Sequence, residues 1–235
     1  MLSICIPTMK RWNFLKLTIP EMLKHDIVKE IVICDETGED IEEIEKSKFG
    51  KNTKLRLIKN EKRLGIYRNK RKVGNLATGE WIGILDSDNI FPDIWFEEIE
   101  SIITKDKEKK TIYGSASFRN VNLETGKDEK PCIEFDGLEL NKQTWNTMFN
   151  RRKWNFLLND GNWVLPREAM KELNDIESEK LQAADAIYML RCWIEGGYRM
   201  KYIEGLEYIH TVHGGSSWLE TERESTRILN QDWRI

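Results

Sequence analysis

The chain has 235 residues, 40% of them hydrophobic and 33% charged, which suffices for one sizeable core and is not the composition of a disordered chain. A formal charge of −3 offers no basic field for counterion release, which excludes general nucleic-acid binding, and no apolar run approaches a membrane span. Cys5, Cys34, Cys132 and Cys192 lack C-x-x-C spacing and read as reduced structural thiols, neither a disulfide framework nor a zinc site.

Residues 2–7 read as a buried first strand without a charged leader, so a cytoplasmic protein is expected. A helix over 12–24, a strand over 30–35 and an acidic helix after Asp40 follow. The alternation continues with a strand over 54–58, a basic helix over 66–77, a strand over 81–86 and a helix over 95–104. Repeated βαβ units imply an α/β fold with a doubly wound, mostly parallel central sheet, which binds ligands at the carboxyl ends of its strands. Thr8, Asp35 and Asp86-Ser87-Asp88 all fall at such ends.

Between Thr111 and Phe135 short strands alternate around the hairpin-like turn Glu124-Thr125-Gly126-Lys127, which predicts a small additional β-lobe. A Trp-rich segment over 141–163 precedes expected helices over 166–173 and 181–195, two short strands flanking Gly205, and a last helix over 218–229. No repeat or linker divides the chain, so one domain over 1–235 is expected.

The most chemical stretch is the apolar run Trp81-Ile82-Gly83-Ile84-Leu85 that ends in Asp86-Ser87-Asp88. Strand side chains repeat every two residues, so Asp86 and Asp88 are expected to point the same way and to share one hard cation, Mg²⁺ or Mn²⁺, against a diphosphate. An Asp-x-Asp triplet by itself is more often a solvated turn, and its neighbours carry the reading. Ser3-Ile4-Cys5-Ile6-Pro7-Thr8 and Glu30-Ile31-Val32-Ile33-Cys34-Asp35 precede it, and the Gly65 to Glu80 segment runs straight into it. Ala184-Asp185 with Arg191 and Gly196-Gly197-Tyr198 comes later, and His213 with Ser216-Ser217 closes the series.

In this order the motifs resemble the inverting glycosyltransferases of family 2, which have the GT-A fold. The resemblance implies a nucleotide-sugar donor, a divalent cation and inversion at the anomeric carbon, with donor binding over 1–105 and acceptor binding and catalysis over 106–235. Under it, Thr8 contacts the nucleoside, and Asp35 accepts the imide N–H of uracil or thymine in preference to capping the helix behind it; since it suits either base, UDP is the first expected leaving group and dTDP the next. Asp86 faces the ribose and the cation's water shell with Ser87 beside it, Asp88 ligates the cation, and His213 adds an imidazole that suits Mn²⁺ as well as Mg²⁺. Asp185 is the expected general base.

Two positions depart from the family. Ala184 stands where the family has Glu, and Lys70 stands where it has Arg, so Arg68 or Arg71 is expected to supply the planar fork beside Lys70 on the diphosphate. Trp145, Trp154 and Trp163 lie in the segment expected beside the acceptor, with core packing the preferred reading of each alone. His210 reads as structural. The implied partners are a UDP-sugar and a glycan or other hydroxyl acceptor; without a membrane segment, a lipid-linked acceptor is reached only peripherally or through a partner. A family member that binds without turnover is the alternative raised by Ala184 and Lys70. A sugar nucleotidyltransferase is disfavoured, because Pro7-Thr8-Met9-Lys10-Arg11 contains no glycine.

Overall fold

The structure, a computed structural model, describes residues 1–122, 124–129, 137–148, 154–155 and 158–235. Cys132, the stretch up to Phe135 and parts of the Trp-rich segment lie outside the described residues. In chain order the first half runs β1 (Leu2–Thr8), α1 (Trp12–Met22), β2 (Val28–Asp35), α2 (Glu39–Lys46), β3 (Leu55–Lys59), α3 (Gly65–Leu76), β4 (Trp81–Ile84) and α4 (Asp93–Lys105). The second half adds β5 (Thr111–Ser115), β6 (Phe118–Asn122), β7 (Asp128–Glu129), β8 (Glu139–Leu140), α5 (Lys142–Met148), β9 (Trp163–Pro166), α6 (Asp185–Glu195), β10 (Arg199–Ile203), β11 (Tyr208–Val212) and α7 (Ser217–Leu229).

Strand alternation divides the core. In β1, Leu2, Ile4 and Ile6 pack with Leu15 and Ile19 of α1 and Phe96 and Ile99 of α4, while Cys5 joins Tyr67 and Val73 of α3 on the opposite face. The main sheet has the order β3-β2-β1-β4-β9-β5-β10-β8. Strands β1 to β4 pair in parallel, as the βαβ rhythm requires, and β9 runs antiparallel between β4 and β5. A second sheet, β11-β6-β7, is the predicted β-lobe, and β6 and β7 pair across the Glu124–Lys127 turn.

Three expectations need correction. Strand β9 was not expected: it spans the end of the Trp-rich segment and the start of the helix expected from 166, where no βαβ alternation marks it. Residues 166–173 form a 3₁₀ turn over Arg167–Glu172 and not an α-helix. That turn buries Met170 against Gly74 of α3, where an added Cβ would lie 2.5 Å from Met170 Cε. The helix expected over 181–195 starts only at Asp185, because a 3₁₀ turn at Ser178–Lys180 and the left-handed Gln182, at φ 49°, precede it. No helix among the described residues is long and apolar enough to cross a membrane.

Candidate active site

The carboxyl ends of β1, β2 and β4 open into a cleft of about 850 Å³ lined by Thr8, Glu36, Asp86, Asp88, Asp185 and His213, among others. Each side chain is brought there by a different element. Asp185 begins α6, whose positive helix end favours a carboxylate. Helix α3 presents Ile66, Asn69 and Lys70 to the cleft, the i, i+3, i+4 face of one turn. Strand β11 holds the Asp88 loop by a bridge between Ile209 and Ile90 and by the Thr211 hydroxyl on the Asp88 carbonyl, then delivers His213.

At the floor, the Lys70 ammonium lies 3.0 Å from Asp86 Oδ1 and 3.2 Å from Asp185 Oδ2. Lys70 and Asp185 are each only 4% exposed. Burial works against the charged lysine, but Asp185 and Asp86 outweigh it and raise its pKa, so the ammonium stays charged. Burial is also the largest influence on Asp185 and pushes its carboxyl up; Lys70 opposes and Asp86 adds to the rise. Gly161 passes over this group, and a Cβ there would meet Lys70 Nζ at 2.5 Å and Asp86 Oδ2 at 3.0 Å. Asn162 Oδ1 accepts the Asp86 N–H at 2.9 Å, and Asp160 accepts the Tyr208 hydroxyl at 2.9 Å, so the Asn159 to Asn162 stretch is a fixed polar wall.

Asp88 has other partners. His213 Nε2 lies 3.1 Å and Arg11 Nε 3.4 Å from Asp88 Oδ2. Burial opposes the Asp88 charge, yet His213 and Arg11 hold its carboxyl below the usual range. The Gly215 N–H donates to His213 Nδ1 at 3.2 Å, so the neutral ring carries its proton on Nε2 and donates it to Asp88.

The two strand-end aspartates therefore face different cations and do not form the expected paired clamp. The reason is local: β4 ends at Ile84, and Asp86 to Asn89 form a turn closed by Asn89 N–H on the Asp86 carbonyl, where period-two alternation no longer applies. Among the described residues no group of three or more His, Cys, Asp or Glu side chains gathers as a metal site. Asp88 and His213 would fit one hard cation as a carboxylate and an imidazole once the ring moves its proton from Nε2 to Nδ1 and gives up the Gly215 N–H, with diphosphate and water oxygens left to complete the shell.

Other expected residues are placed differently. Asp35 is fully buried, and its carboxylate accepts N–H groups of Thr37 at 3.0 Å, Asp40 at 2.9 Å and Ile41 at 3.2 Å. It caps α2 and does not line the cleft, which corrects the base-recognition reading. Thr8 lines the cleft, but its hydroxyl donates to Asp40 Oδ2 at 2.6 Å and its carbonyl accepts the Glu36 N–H at 3.0 Å. Ser87 lines the cleft as expected. Arg68 pairs with Asp175 at 2.9 Å outside it, and Arg71 donates to the Leu173 carbonyl, because both sit off the Ile66–Lys70 face of α3. Trp145, Trp154 and Trp163 are core residues, and among the described residues Trp218 is the tryptophan that lines the cleft. His210 lies 2.9 Å from Asn120 Oδ1 and also lines the cleft.

Two cleft residues had no sequence reading of their own. Arg11 was seen only as part of a glycine-free loop. Glu36, one residue beyond β2, gives Oε2 to the Leu64 N–H at 2.6 Å, while its buried Oε1 has no hydrogen-bond partner. Burial raises its pKa, with the Leu64 amide, Asn60 and Arg63 opposing. Its position just past a strand end was the available signal.

The sequence pattern described as glycosyl transferase family 2 matches residues 3–173. The chain belongs to that family. No curated protein matches it significantly in sequence. Among solved structures, S. aureus TarS 1-349 in complex with UDP-GlcNAc has a TM-score of 0.70 at 14% identity, covering 97% of this chain and 65% of that one. The TarS complex with UDP gives 0.65 at 18%, covering 98% and 66%. The mannosyltransferase PcManGT from Pyrobaculum calidifontis, in complex with GDP-Man and Mn²⁺, gives 0.63 at 14%, covering 95% and 60%. The family and these likenesses establish the GT-A fold. The chain spans just under two thirds of the TarS 1-349 structures.

Proposed function

We propose that this chain transfers a sugar from a nucleoside-diphosphate sugar to a hydroxyl acceptor, with inversion at the anomeric carbon and UDP as the preferred leaving group. The observation that carries the reading is Asp185, a buried carboxylate at the head of α6, held by Lys70 beside Asp86 on the floor of the cleft. Asp185 takes the proton of the acceptor hydroxyl as that oxygen bonds to the anomeric carbon. The bond from that carbon to the diphosphate breaks on the opposite face, and its electron pair leaves with the diphosphate. Lys70 orients Asp185, and burial keeps the carboxylate basic enough to accept a proton. Asp88 and His213 would hold a Mn²⁺ or Mg²⁺ ion, which neutralises charge on the departing diphosphate. The nucleotide sugars bound by TarS and PcManGT, and the Mn²⁺ of PcManGT, support a donor and a cation of these classes.

Base recognition passes from Asp35 to Glu36. A rotation of the Glu36 side chain that brings its buried, unpartnered Oε1 to the cleft lets it accept the imide N–H of uracil, whereas cytosine presents an acceptor at the same ring position. Because the Leu64 N–H needs an acceptor, Glu36→Gln turns its amide NH₂ toward the cleft. Calorimetric titration with UDP and CDP in Mn²⁺ is expected to show UDP weakened about tenfold, the worth of one such bond, and CDP strengthened. Unchanged affinities remove Glu36 from base recognition. Failure of UDP, dTDP and GDP alike to bind the native chain defeats the donor assignment.

A further inference from the structure

Arg11 is anchored at both ends. Its N–H donates to Asp40 Oδ1 at 2.8 Å, and its carbonyl opens α1 by accepting the N–H groups of Phe14 and Leu15. At the far end, Nε faces Asp88 Oδ2 at 3.4 Å, Nη1 donates to the Met9 carbonyl at 3.4 Å, and Nη2 donates to the Gly215 carbonyl. The guanidinium thus bridges the loop after β1 to the loop after β11 across Asp88, with side-chain exposures of 15% and 23% for the pair. It lines a cleft into which Asp86, Asp88, Asp160 and Asp185 also project, an acidic surround that an incoming diphosphate meets at an energetic cost unless cations offset it.

We propose that Arg11 is a resident cation of the diphosphate site: it neutralises Asp88 in the free protein, turns onto diphosphate oxygens when nucleotide binds, and must leave Asp88 for a divalent cation to bind there. The proposal rests on the nucleotide-sugar reading above. A guanidinium is charged at every working pH, and its fork matches phosphate oxygens, so it supplies attraction without metal. Arg11 and a metal ion also compete for one carboxylate. Metal displaces Arg11 toward the diphosphate and the diphosphate draws Arg11 off Asp88, so linkage makes the gain in nucleotide affinity on adding metal larger when Arg11 is present.

The test is the UDP dissociation constant, by calorimetry, in EDTA and in saturating Mn²⁺, for the native chain, Arg11→Met and Arg11→Lys. Arg11→Met is expected to weaken metal-free binding at least about fivefold and to shrink the gain from Mn²⁺ by at least about fivefold, with Arg11→Lys between the two. An equal Mn²⁺ gain in the native chain and Arg11→Met overturns the proposal and leaves the nucleotide site standing. So does metal-free binding that is unchanged in Arg11→Met or unmeasurable in the native chain. Absence of UDP and GDP binding in every protein under both conditions overturns the nucleotide reading itself, and the proposal with it. If Arg11→Met does not fold, Arg11→Gln takes its place in the same comparison.

Discussion

A lysine between two carboxylates is a costly object to bury, and the site is organised around it. Lys70 cannot act as a mobile phosphate clamp while its ammonium holds both Asp86 and Asp185. Its observed contacts suit orientation of the base, while the cation beside Asp88 is Arg11 from a different loop. Asp185→Asn keeps the shape and removes the proton acceptor. Transfer is expected to fall by about 10²–10⁴-fold, with UDP affinity changed less than about threefold, because Asp86 still pairs with Lys70. Single-turnover kinetics beside UDP titration separate the two effects, and an unchanged transfer rate would remove Asp185 from the mechanism. The positions of Asp185, Lys70 and Asp88 in the cleft were legible from ordered motifs. Their partners were not, because which of Lys70 and Arg68 faces inward depends on the rotation of α3, and the β4 strand ends two residues before Asp86.

At the scale of elements, the alternation of strand and helix through residue 105 was legible because the elements repeat as βαβ units, which marks even the four-residue β4. The short β9 and the 3₁₀ turns were not, since packing against neighbours, such as Met170 on Gly74, fixes them. Helix α2 shows how an element end masquerades as a site. Its first turn holds Glu39, Asp40 and Glu42, and its N-terminal amides are gathered by Asp35 from the end of β2. A carboxylate at a strand's end reads equally as ligand or cap in sequence, and only the position of α2 decides. Asp35→Ala strips acceptors from the amides of Thr37, Asp40 and Ile41 and is expected to cost about 2 kcal/mol of stability. Chemical denaturation measures that loss. Base preference among UDP, CDP and GDP is expected to stay as in the native chain, the outcome that separates a cap from a base contact.

Across the whole molecule the chemistry sits at the carboxyl ends of the strands, while a separate polar cluster holds the sheet elsewhere. Glu30 of β2 accepts the Ser3 hydroxyl of β1 at 2.7 Å, the Thr78 N–H at 2.6 Å and the Arg56 guanidinium of β3 at 2.8 Å. Gly79 N–H in turn donates to Ser3 Oγ at 2.8 Å, so one carboxylate stitches β1, β2, β3 and the approach to β4. Burial opposes its charge, but Arg56, Ser3 and Thr78 together bring its pKa from 4.5 down to about 2. A depressed carboxylate binds fewer protons folded than unfolded, so its contribution is complete above pH 4.5 and drains away as pH falls toward about 2. Glu30→Gln is therefore expected to lower stability by about 1–2 kcal/mol at neutral pH, short of the full shift because Arg56 is 40% exposed and solvent-screened. The gap between native and variant urea midpoints should close over that acid window, with UDP affinity at pH 7 untouched because Glu30 does not line the cleft. A gap that holds constant from pH 7 to pH 3 would mean that the Glu30 charge contributes nothing and that shape alone holds these strands together.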